Sequence, residues 1–500
     1  MDELRVIIRN NNDSDGITEK LIDELSSNFK LTASFVIDCG SERIRKPDTV
    51  YMKGYMVTRH DCVEFHKPCK PISKDILKAM LPYKSMAMDC MMRESDYDIY
   101  ERGYMESVYY RILSYWNDFI DVNRINCLVY FILPHHASEF ILYALGRVKN
   151  LKCVMLYSQI YADGQLYGIG STIESMGENI KKEYERIKDQ ENDYKELSEY
   201  MRSAVDNVRN SRVMGDDIAS QLIKIQKECD LGFVKIASIF DDIKHIARRI
   251  VFRNRLNVED SIILNESLRK LSYRFKALKT ERKMDHAKER NKYSIIPDYG
   301  ERFIYYALHL QPESSTMPLA GEFKNQFLVL ELLSAASKKI GIKVFVKEHW
   351  TQYHRERDFY KRISELENVY LIDARVNSID LIENCICVVS STGNVLFEAM
   401  VKQKPAMAFS DGYIFKGAPN IISPSSEKDI VDFLSDVLNG EYTISERNVI
   451  NYLMAMDRCT VLCYCDSLQD EASSYYERDE SVRIVVNYLK DIVLECFVDC

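Results

Sequence analysis

The chain has 500 residues, of which 46% are hydrophobic and 29% are charged, a composition typical of globular proteins. Its length exceeds that of a single core, so we expect two or three domains. The formal net charge of -9 argues against a nucleic-acid-binding function, because neutralising phosphates requires a basic surface.

The amino-terminal segment MDELRVIIRNNNDSDG has no hydrophobic stretch of the kind that a signal peptide needs. The apolar run CLVYFIL at 127–133 is much shorter than the roughly 20 residues that span a bilayer. We therefore expect a cytoplasmic protein whose 14 cysteines are buried thiols and not disulfides. We predict no metal site, because the cysteine cluster at 459–465 lacks a second pair of ligands.

Residues 1–170 are predicted to form an amino-terminal α/β domain. Strand-like runs occur at 4–9, 34–39, 127–133 and 153–158. The segment between the last two runs, HHASEFILYALGRVKN, carries apolar residues at helical spacing. A strand, a helix and a second strand in succession indicate a βαβ unit and a parallel sheet.

Residues 171–294 are predicted to be helical, because the segment is highly charged and has no strand pattern. Apolar residues from Leu222 to Ile246 approximate an amphipathic stripe. The segment is either a helical insertion between two α/β domains or a surface for a partner or a membrane. The basic stretch RKLSYRFKALKTERK at 269–283 suits an anionic surface. The insertion is favoured, because runs of charge usually form a solvated helix face.

Residues 295–445 return to an alternation of strands and helices. Strand patterns occur at 303–310, 343–349, 369–373, 387–390 and 405–410, with helical patterns between them. This alternation predicts a doubly wound α/β domain, followed by a mostly helical tail at 446–500. The predicted fold class is therefore α/β, with two Rossmann-like domains and an inserted helical segment. A ligand is expected in the cleft, at the carboxyl ends of the parallel strands.

The stretch VVSSTGNVLFEAM places small hydroxyl residues and a glycine between a strand and a helix. These residues are Ser390, Ser391, Thr392 and Gly393. Backbone N–H groups at a helix start attract an anion, hydroxyls add donors and glycine permits close approach, so we predict a phosphate site. The alternative is a simple helix cap. Farther along this helix, Glu398 could hold ribose hydroxyls or be an ordinary exposed glutamate.

Two more strand ends in this domain are polar. Lys347 ends the strand KVFVK, and His349 follows two residues later. His349 could bind phosphate or protonate a leaving group, although a lone histidine is more often structural. The strand FIYYALHL precedes a polar loop whose Gln311 and Glu313 are expected to contact substrate. Three polar strand ends at one edge favour a ligand site.

Two candidates in the first domain would face the cleft from the opposite side. His135 follows the strand CLVYFIL, and Asp163 follows the strand CVMLYS. Asp163 is a candidate base for an acceptor hydroxyl. An Asp-Gly pair is also an ordinary turn, and that interpretation is favoured.

Residues 295–445 resemble the donor half of GT-B glycosyltransferases of bacterial surface (capsule and O-antigen) polysaccharide biosynthesis, related to Kdo transferases and bacterial sialyltransferases. The resemblance rests on LHLQPESSTMP, VKEHW, SSTGNVLFEAM and KPAMAF, and it extends only loosely to the first domain. In these families a His-Pro motif and a serine motif hold the phosphate of a CMP-sugar. His349 matches the histidine, with Trp350 in place of the proline, and Ser390 and Ser391 match the serines. Asp163 partly matches an acidic-acidic-Gly motif, since alanine precedes it.

The resemblance implies a GT-B-like fold and a metal-independent glycosyltransferase without a cofactor. It would move a sugar from a nucleotide sugar, such as CMP-Kdo or CMP-sialic acid, to a surface polysaccharide or glycolipid acceptor. Asp163 or His135 would activate the acceptor, Lys347 would supply positive charge, and 269–283 could hold the protein peripherally at the inner face of the cell membrane. UDP-sugar 2-epimerases and CDP-polyol polymer transferases are alternatives on the same fold. A non-catalytic component of polysaccharide assembly or export is another.

Overall fold

Two α/β domains account for most of the chain. The computed structural model describes residues 3–10, 16–38, 45–58, 62–94, 102–159, 161, 166–210, 243–244, 246–247, 268, 271, 286–349, 352, 355–356, 358–410, 414–463 and 478–498. Apart from isolated positions, the stripe between Leu222 and Ile246 and the basic stretch at 269–283 lie outside these residues.

The first sheet is mainly parallel, as the sequence predicted. Its strands are β1 (Glu3–Arg9), β2 (Lys30–Asp38), β3 (Thr49–Lys53), β4 (Cys127–Tyr130), β5 (Lys152–Gln159), β6 (Leu166–Gly170) and β13 (Thr460–Leu462). The order is β13-β6-β5-β4-β1-β2-β3, with β1 to β5 parallel and β6 and β13 antiparallel at one edge. The chain reverses its direction of winding between β1 and β4, which opens a crevice at their carboxyl ends.

The second sheet is parallel throughout. Its strands are β7 (Phe303–Ala307), β8 (Lys343–Lys347), β9 (Val369–Ile372), β10 (Cys387–Ser390), β11 (Ala406–Ala408) and β12 (Ile421–Ile422). The order β12-β11-β10-β7-β8-β9 repeats the winding of the first sheet, with the reversal between β7 and β10. The five strand patterns predicted here are confirmed, although several strands end earlier than expected.

The helices pack on both faces of each sheet. In the described residues they are α1 (Ile17–Asn28), α2 (Tyr55–Thr58), α3 (Lys74–Ala79), α4 (Leu81–Glu94), α5 (Arg102–Asn123), α6 (Ala137–Val148), α7 (Ser175–Ile187), α8 (Glu199–Arg209), α9 (His286–Tyr293), α10 (Gln326–Ile340), α11 (Phe359–Ser364), α12 (Ser378–Asn384), α13 (Val395–Val401), α14 (Glu427–Asn439), α15 (Glu446–Arg458) and α16 (Arg478–Val498). Short 3₁₀ helices cover Val63–His66, Tyr194–Glu196 and Gly321–Lys324. Helix α10 ends at Gly341, whose φ of 73° is the left-handed conformation that its predicted capping role requires.

Apolar periodicity explains the packing of these helices. Helix α6 buries Phe140, Ile141 and Leu145 against the first sheet, in the same core as Trp116 of α5. On the opposite face of that sheet, α1 packs with α16, so the tail returns to the first domain. Helices α10 and α14 cover one face of the second sheet. The result is two doubly wound domains of the kind that the pattern indicated.

The tail at 446–500 contains a feature that the sequence pattern did not predict. The expected helix at 481–497 is present as α16, but Thr460–Leu462 form the edge strand β13 of the first sheet. None of the described helices is both long enough and apolar enough to cross a membrane.

Candidate functional site

The switch point of the second sheet brings His309 against the serine-rich turn. His309 lies two residues after β7, and Ser390 is the last residue of the neighbouring strand β10. The ring Nε2 of His309 accepts the backbone N–H groups of Ser391 at 3.1 Å and Thr392 at 3.2 Å. The Ser390 hydroxyl lies 2.9 Å from the same nitrogen. One imidazole therefore closes the turn that the sequence assigned to a phosphate.

These contacts define the protonation state of His309. A backbone N–H can only donate, so Nε2 carries a lone pair and the ring proton resides on Nδ1. Burial, assisted by His349 and Arg355, lowers the pKa of His309 to about 3, which keeps the ring neutral at physiological pH. Nδ1 has no hydrogen-bond partner in the described part of the chain, and the His309 side chain is buried.

The close packing of His309 requires a glycine at position 393. A Cβ at this position would lie 3.0 Å from Cε1 of His309 and 3.0 Å from the Ser390 hydroxyl. The close approach that the sequence predicted for Gly393 is therefore made to a protein side chain. The N–H of Gly393 donates to the Ser390 hydroxyl at 3.3 Å, and the Thr392 hydroxyl donates to the Ser315 carbonyl at 3.0 Å. The turn is held largely by its own side chains.

A pocket opens beside this turn. Its open space of about 270 Å³ includes bulk solvent at the mouth. Its lining residues are Ser391, Thr392, Leu396, Ala408, Ser410, Phe415, Lys416 and Ser423. Lys416 forms an ion pair with Glu178 of α7, which brings a first-domain helix to the pocket mouth. Hydroxyls, an ammonium group and an aromatic ring together suit a phosphate with an attached ring system.

A buried ion pair supports the loop that carries His309. Arg355 donates from Nε to Glu348 at 2.9 Å and from a terminal nitrogen at 2.6 Å, a bidentate arrangement. It also donates to the His309 carbonyl at 2.7 Å and to the Gln311 side chain at 2.8 Å. The Tyr360 hydroxyl also donates a hydrogen bond to the Glu348 carboxylate at 3.0 Å. This guanidinium therefore positions the backbone around His309.

The loop residues predicted to contact substrate are engaged within the loop. Gln311 donates to the Lys324 carbonyl and accepts from Arg355. The Glu313 carboxylate accepts the Ser314 hydroxyl and the Ser315 N–H, both at 2.9 Å. Their roles as ligand contacts remain predictions.

The other predicted residues of this domain lie at the same sheet edge. Lys347 donates to the Ser378 hydroxyl at 2.7 Å. His349 is half-buried near His309, and burial, the largest influence, lowers its pKa. Glu398 is only 5% exposed, so the alternative of an exposed glutamate is wrong, and its ribose contact stays a prediction.

The switch point of the first sheet holds a second polar cluster. Arg9, the last residue of β1, donates to the Glu139 carboxylate at 2.6 Å, and both side chains are buried. Glu139 also accepts the N–H groups of His135 at 2.8 Å and His136 at 2.9 Å, which caps α6. Burial, the largest single influence, raises the pKa of Glu139, but Arg9, the two neighbouring histidines and the His136 N–H together outweigh it and hold the pKa at about 2.

His135 has the tautomer opposite to that of His309. Its Nδ1 donates to the Leu133 carbonyl at 2.6 Å, so Nε2 carries the lone pair. Burial, the dominant cause, lowers the pKa of His135 to about 4. The other candidate on this side, Asp163, lies outside the described residues.

His135, His136 and Glu139 could bring one ligand atom each within 4.8 Å of one another. The Glu139 oxygens are already engaged by Arg9 and two backbone N–H groups. A guanidinium at this distance opposes a second cation. The donor set therefore does not fit a metal ion.

Two contacts join the domains beside the cleft. The ring of Tyr161 stacks on Phe397 of α13 with the centroids 4.4 Å apart. Lys324 donates to both oxygens of Asp89 of α4 at 2.7 and 2.6 Å. These two contacts tie the first domain to the second.

No family model matches this sequence, and no curated protein matches it. Among solved structures, it is similar to the UDP-GlcNAc 2-epimerase from Neisseria meningitidis bound to UDP-GlcNAc, with 13% identity over 97% of this chain and 99% of that chain and a TM-score of 0.26. It is also similar to the β-Kdo 2,7 transferase KpsC of Thermosulfurimonas dismutans, with 9% identity over 76% and 89% and a TM-score of 0.30. The match to TarM has 15% identity, covers 39% of this chain and 36% of TarM, and has a TM-score of 0.23.

Proposed function

We propose that this protein is a glycosyltransferase that moves a sugar from a nucleotide sugar to a saccharide or glycolipid acceptor. The observation that carries the proposal is the neutral His309 that closes the turn at 390–393, because Ser391 and Thr392 of this turn line a pocket that also contains Lys416. A neutral N–H donor and an ammonium group stabilise the oxygens of a departing phosphate. We further propose a cytoplasmic location and an activity that needs no metal ion.

The two histidines suggest how the reaction proceeds. In the transfer, the bond from the anomeric carbon to the donor phosphate breaks and a bond to the acceptor oxygen forms. The phosphate leaves with the electron pair and receives the hydrogen bond of His309. The acceptor proton passes to a base in the first domain, for which His135 offers the Nε2 lone pair. The domain contacts of Tyr161 and Asp89 hold these two edges together.

The donor is proposed to be a CMP-sugar such as CMP-Kdo or CMP-sialic acid. The support for this choice is the resemblance at Ser390, Ser391 and His349. Lys347, Glu398, Gln311 and Glu313 are proposed to complete the donor site.

The test is the thermal stability of the chain with CMP, CDP or UDP, since a ligand that binds only the folded state must raise its stability. We expect CMP to stabilise the wild-type protein, and His309→Gln and Ser391→Ala to lose most of this effect. His66→Gln serves as the control, because His66 contacts Arg111 far from the second sheet.

Other outcomes would redirect the proposal. A preference for UDP, with product formed from the donor alone, would favour a 2-epimerase, because an epimerase needs no acceptor. A preference for CDP would favour a polymer transferase. No response to any nucleotide would contradict a donor site and favour the non-catalytic component. Transfer that is abolished by EDTA would contradict metal independence.

A further inference from the structure

The segment 67–84 forms a basic and apolar surface on the first domain. It contains five lysines, Lys67, Lys70, Lys74, Lys78 and Lys84, and a single acidic residue, Asp75. The formal charge of the segment is therefore +4, five minus one, in a chain whose net charge is -9. The first four lysines form no ion pair with any described residue. Lys84 approaches Glu106 at 3.3 Å.

Large apolar side chains point outward among these lysines. Leu77 is 38% exposed and Leu81 is 68% exposed, and the neighbouring Tyr110 is 42% exposed. Helix α3 has no fully buried residue, and Ile76 packs only partly against the core. The helix thus lies flat on the domain with Leu77 turned to solvent. The Tyr110 hydroxyl accepts from Lys84 at 3.2 Å, so the aromatic ring belongs to the same surface.

We propose that this surface, residues 67–84 with Tyr110, docks the protein on an anionic lipid bilayer. Exposed leucines enter the boundary between headgroups and acyl chains, while the surrounding lysines contact lipid phosphates. A tyrosine at the rim suits the headgroup level. The charge sign and the outward leucines together identify this occupant, because a polyanion without an apolar phase would bury neither Leu77 nor Leu81.

The docking surface is directly linked to the cleft by α4. Leu81 begins this helix, and Asp89, which pairs with Lys324, follows eight residues later, about 12 Å along the axis. Arg93, near the end of α4, donates to the His135 carbonyl at 2.5 Å. Leu81 and Arg93 therefore lie about 18 Å apart along the axis of α4, so one helix joins the docking surface to the His135 loop. The consequence, access to a lipid-linked acceptor, rests on the proposed function, whereas the docking itself does not.

The experiment is co-sedimentation of the full chain with vesicles of phosphatidylcholine alone or mixed with phosphatidylglycerol. We expect binding to the mixed vesicles and little binding to phosphatidylcholine. The double variant Leu77→Ser, Leu81→Ser should lower the partition coefficient about tenfold or more. The triple variant Lys70→Gln, Lys74→Gln, Lys78→Gln should lower it about a hundredfold.

Two controls match these changes elsewhere on the surface. Val122→Ser removes an apolar side chain that is 61% exposed outside the segment. Lys338→Gln, Lys339→Gln, Lys361→Gln removes three exposed charges from the second domain. Both controls should bind mixed vesicles like the wild type.

Equal binding by the leucine variant and the wild type, or no binding to either vesicle, would overturn the proposal. Binding to heparin without binding to vesicles would also overturn it and would indicate a soluble polyanion. The nucleotide response of the leucine variant should equal that of the wild type. Failure of docking and failure of the donor site are therefore distinguished.

Discussion

The two switch points have the same strand winding but different polar chemistry. In the first domain, α6 is capped by its own Glu139, and the charge of that carboxylate is balanced by Arg9 from β1. In the second domain, the turn before α13 is closed by the neutral ring of His309. The first arrangement leaves the lone pair on Nε2 of His135, and the second leaves the ring proton on Nδ1 of His309. The same topology thus places a hydrogen-bond acceptor at one switch point and a hydrogen-bond donor at the other.

The two buried Arg–Glu pairs differ in what they support. Arg9 and Glu139 hold the start of a helix. Arg355 and Glu348 form a bidentate pair, and the same guanidinium supports the His309 loop. Loss of the second pair should therefore affect the turn at 390–393, whereas loss of the first pair should affect only the first domain.

The largest effect is expected from Arg355→Met. Breaking a buried ion pair leaves Glu348 charged and uncompensated, which costs about 3–5 kcal/mol of unfolding free energy. Hydrogen exchange in denaturant should show this loss in β7 and β8 but not in β1 and β4, with a weaker nucleotide response. Arg375→Met removes an exposed partner of Asp373 and should change stability little. Equal losses for the two variants would contradict the supporting role of Arg355.

The next effect is the pH dependence that His309 confers on the second domain. Its pKa is about 3 when folded and 6.5 ordinarily, so its contribution is complete above pH 6.5 and is lost as pH falls toward 3. Between pH 6.5 and 4 we expect a loss on the order of 3 kcal/mol relative to His309→Gln. Denaturant unfolding at several pH values measures it. Identical pH slopes for the wild type and His309→Gln would mean that His309 is protonated in the folded protein.

A smaller effect of the same sign is expected from Glu139 in the first domain. Its pKa is about 2 when folded against an ordinary 4.5, so its stabilisation is present above pH 4.5 and declines as pH falls through about 2. Between pH 4.5 and 3 the loss should be on the order of 2 kcal/mol. Glu139→Gln should lack this slope, as read from exchange in β1 and β4. A slope that survives the substitution would have to come from another carboxyl group.

The smallest effect is expected at the ion pair between the domains. Lys324 is partly exposed whereas Asp89 is buried, so Lys324→Met should cost about 1–2 kcal/mol, between the values for a surface pair and a buried pair. A double-mutant cycle with Asp89→Asn isolates the coupling between the two side chains. A coupling of several kcal/mol would show that the domains are held together mainly at this point.

Much of the architecture was predictable because strand and helix patterns are local. The strands at 303–307, 343–347 and 387–390 follow apolar runs that end in polar residues, and both domains show the predicted α/β class. The strand at Thr460–Leu462 was missed, because its three residues carry too short a pattern to separate from a helical tail.

The sequence predicted where the candidate site lies but not which side chains contact each other there. Ser390 and Gly393 lie at the strand end that the sequence indicated. The sequence placed His309 at the end of the strand pattern 303–310, among polar residues suited to substrate recognition, but did not pair it with the serines of β10. Its position two residues past a strand was the available signal, and that signal becomes specific only when the strand order is known.

The sequence by itself determined the α/β class, the alternation of strands and helices in the second domain and the polar strand ends, since these depend on residues close in the chain. The tertiary structure decided which strand ends meet. His309 and Ser390 are 81 residues apart, and Arg9 and Glu139 are 130 apart. Such pairs form because the sheet places β7 beside β10 and β1 beside β4. That order is set by the packing of whole helices on both faces, and no local pattern encodes it.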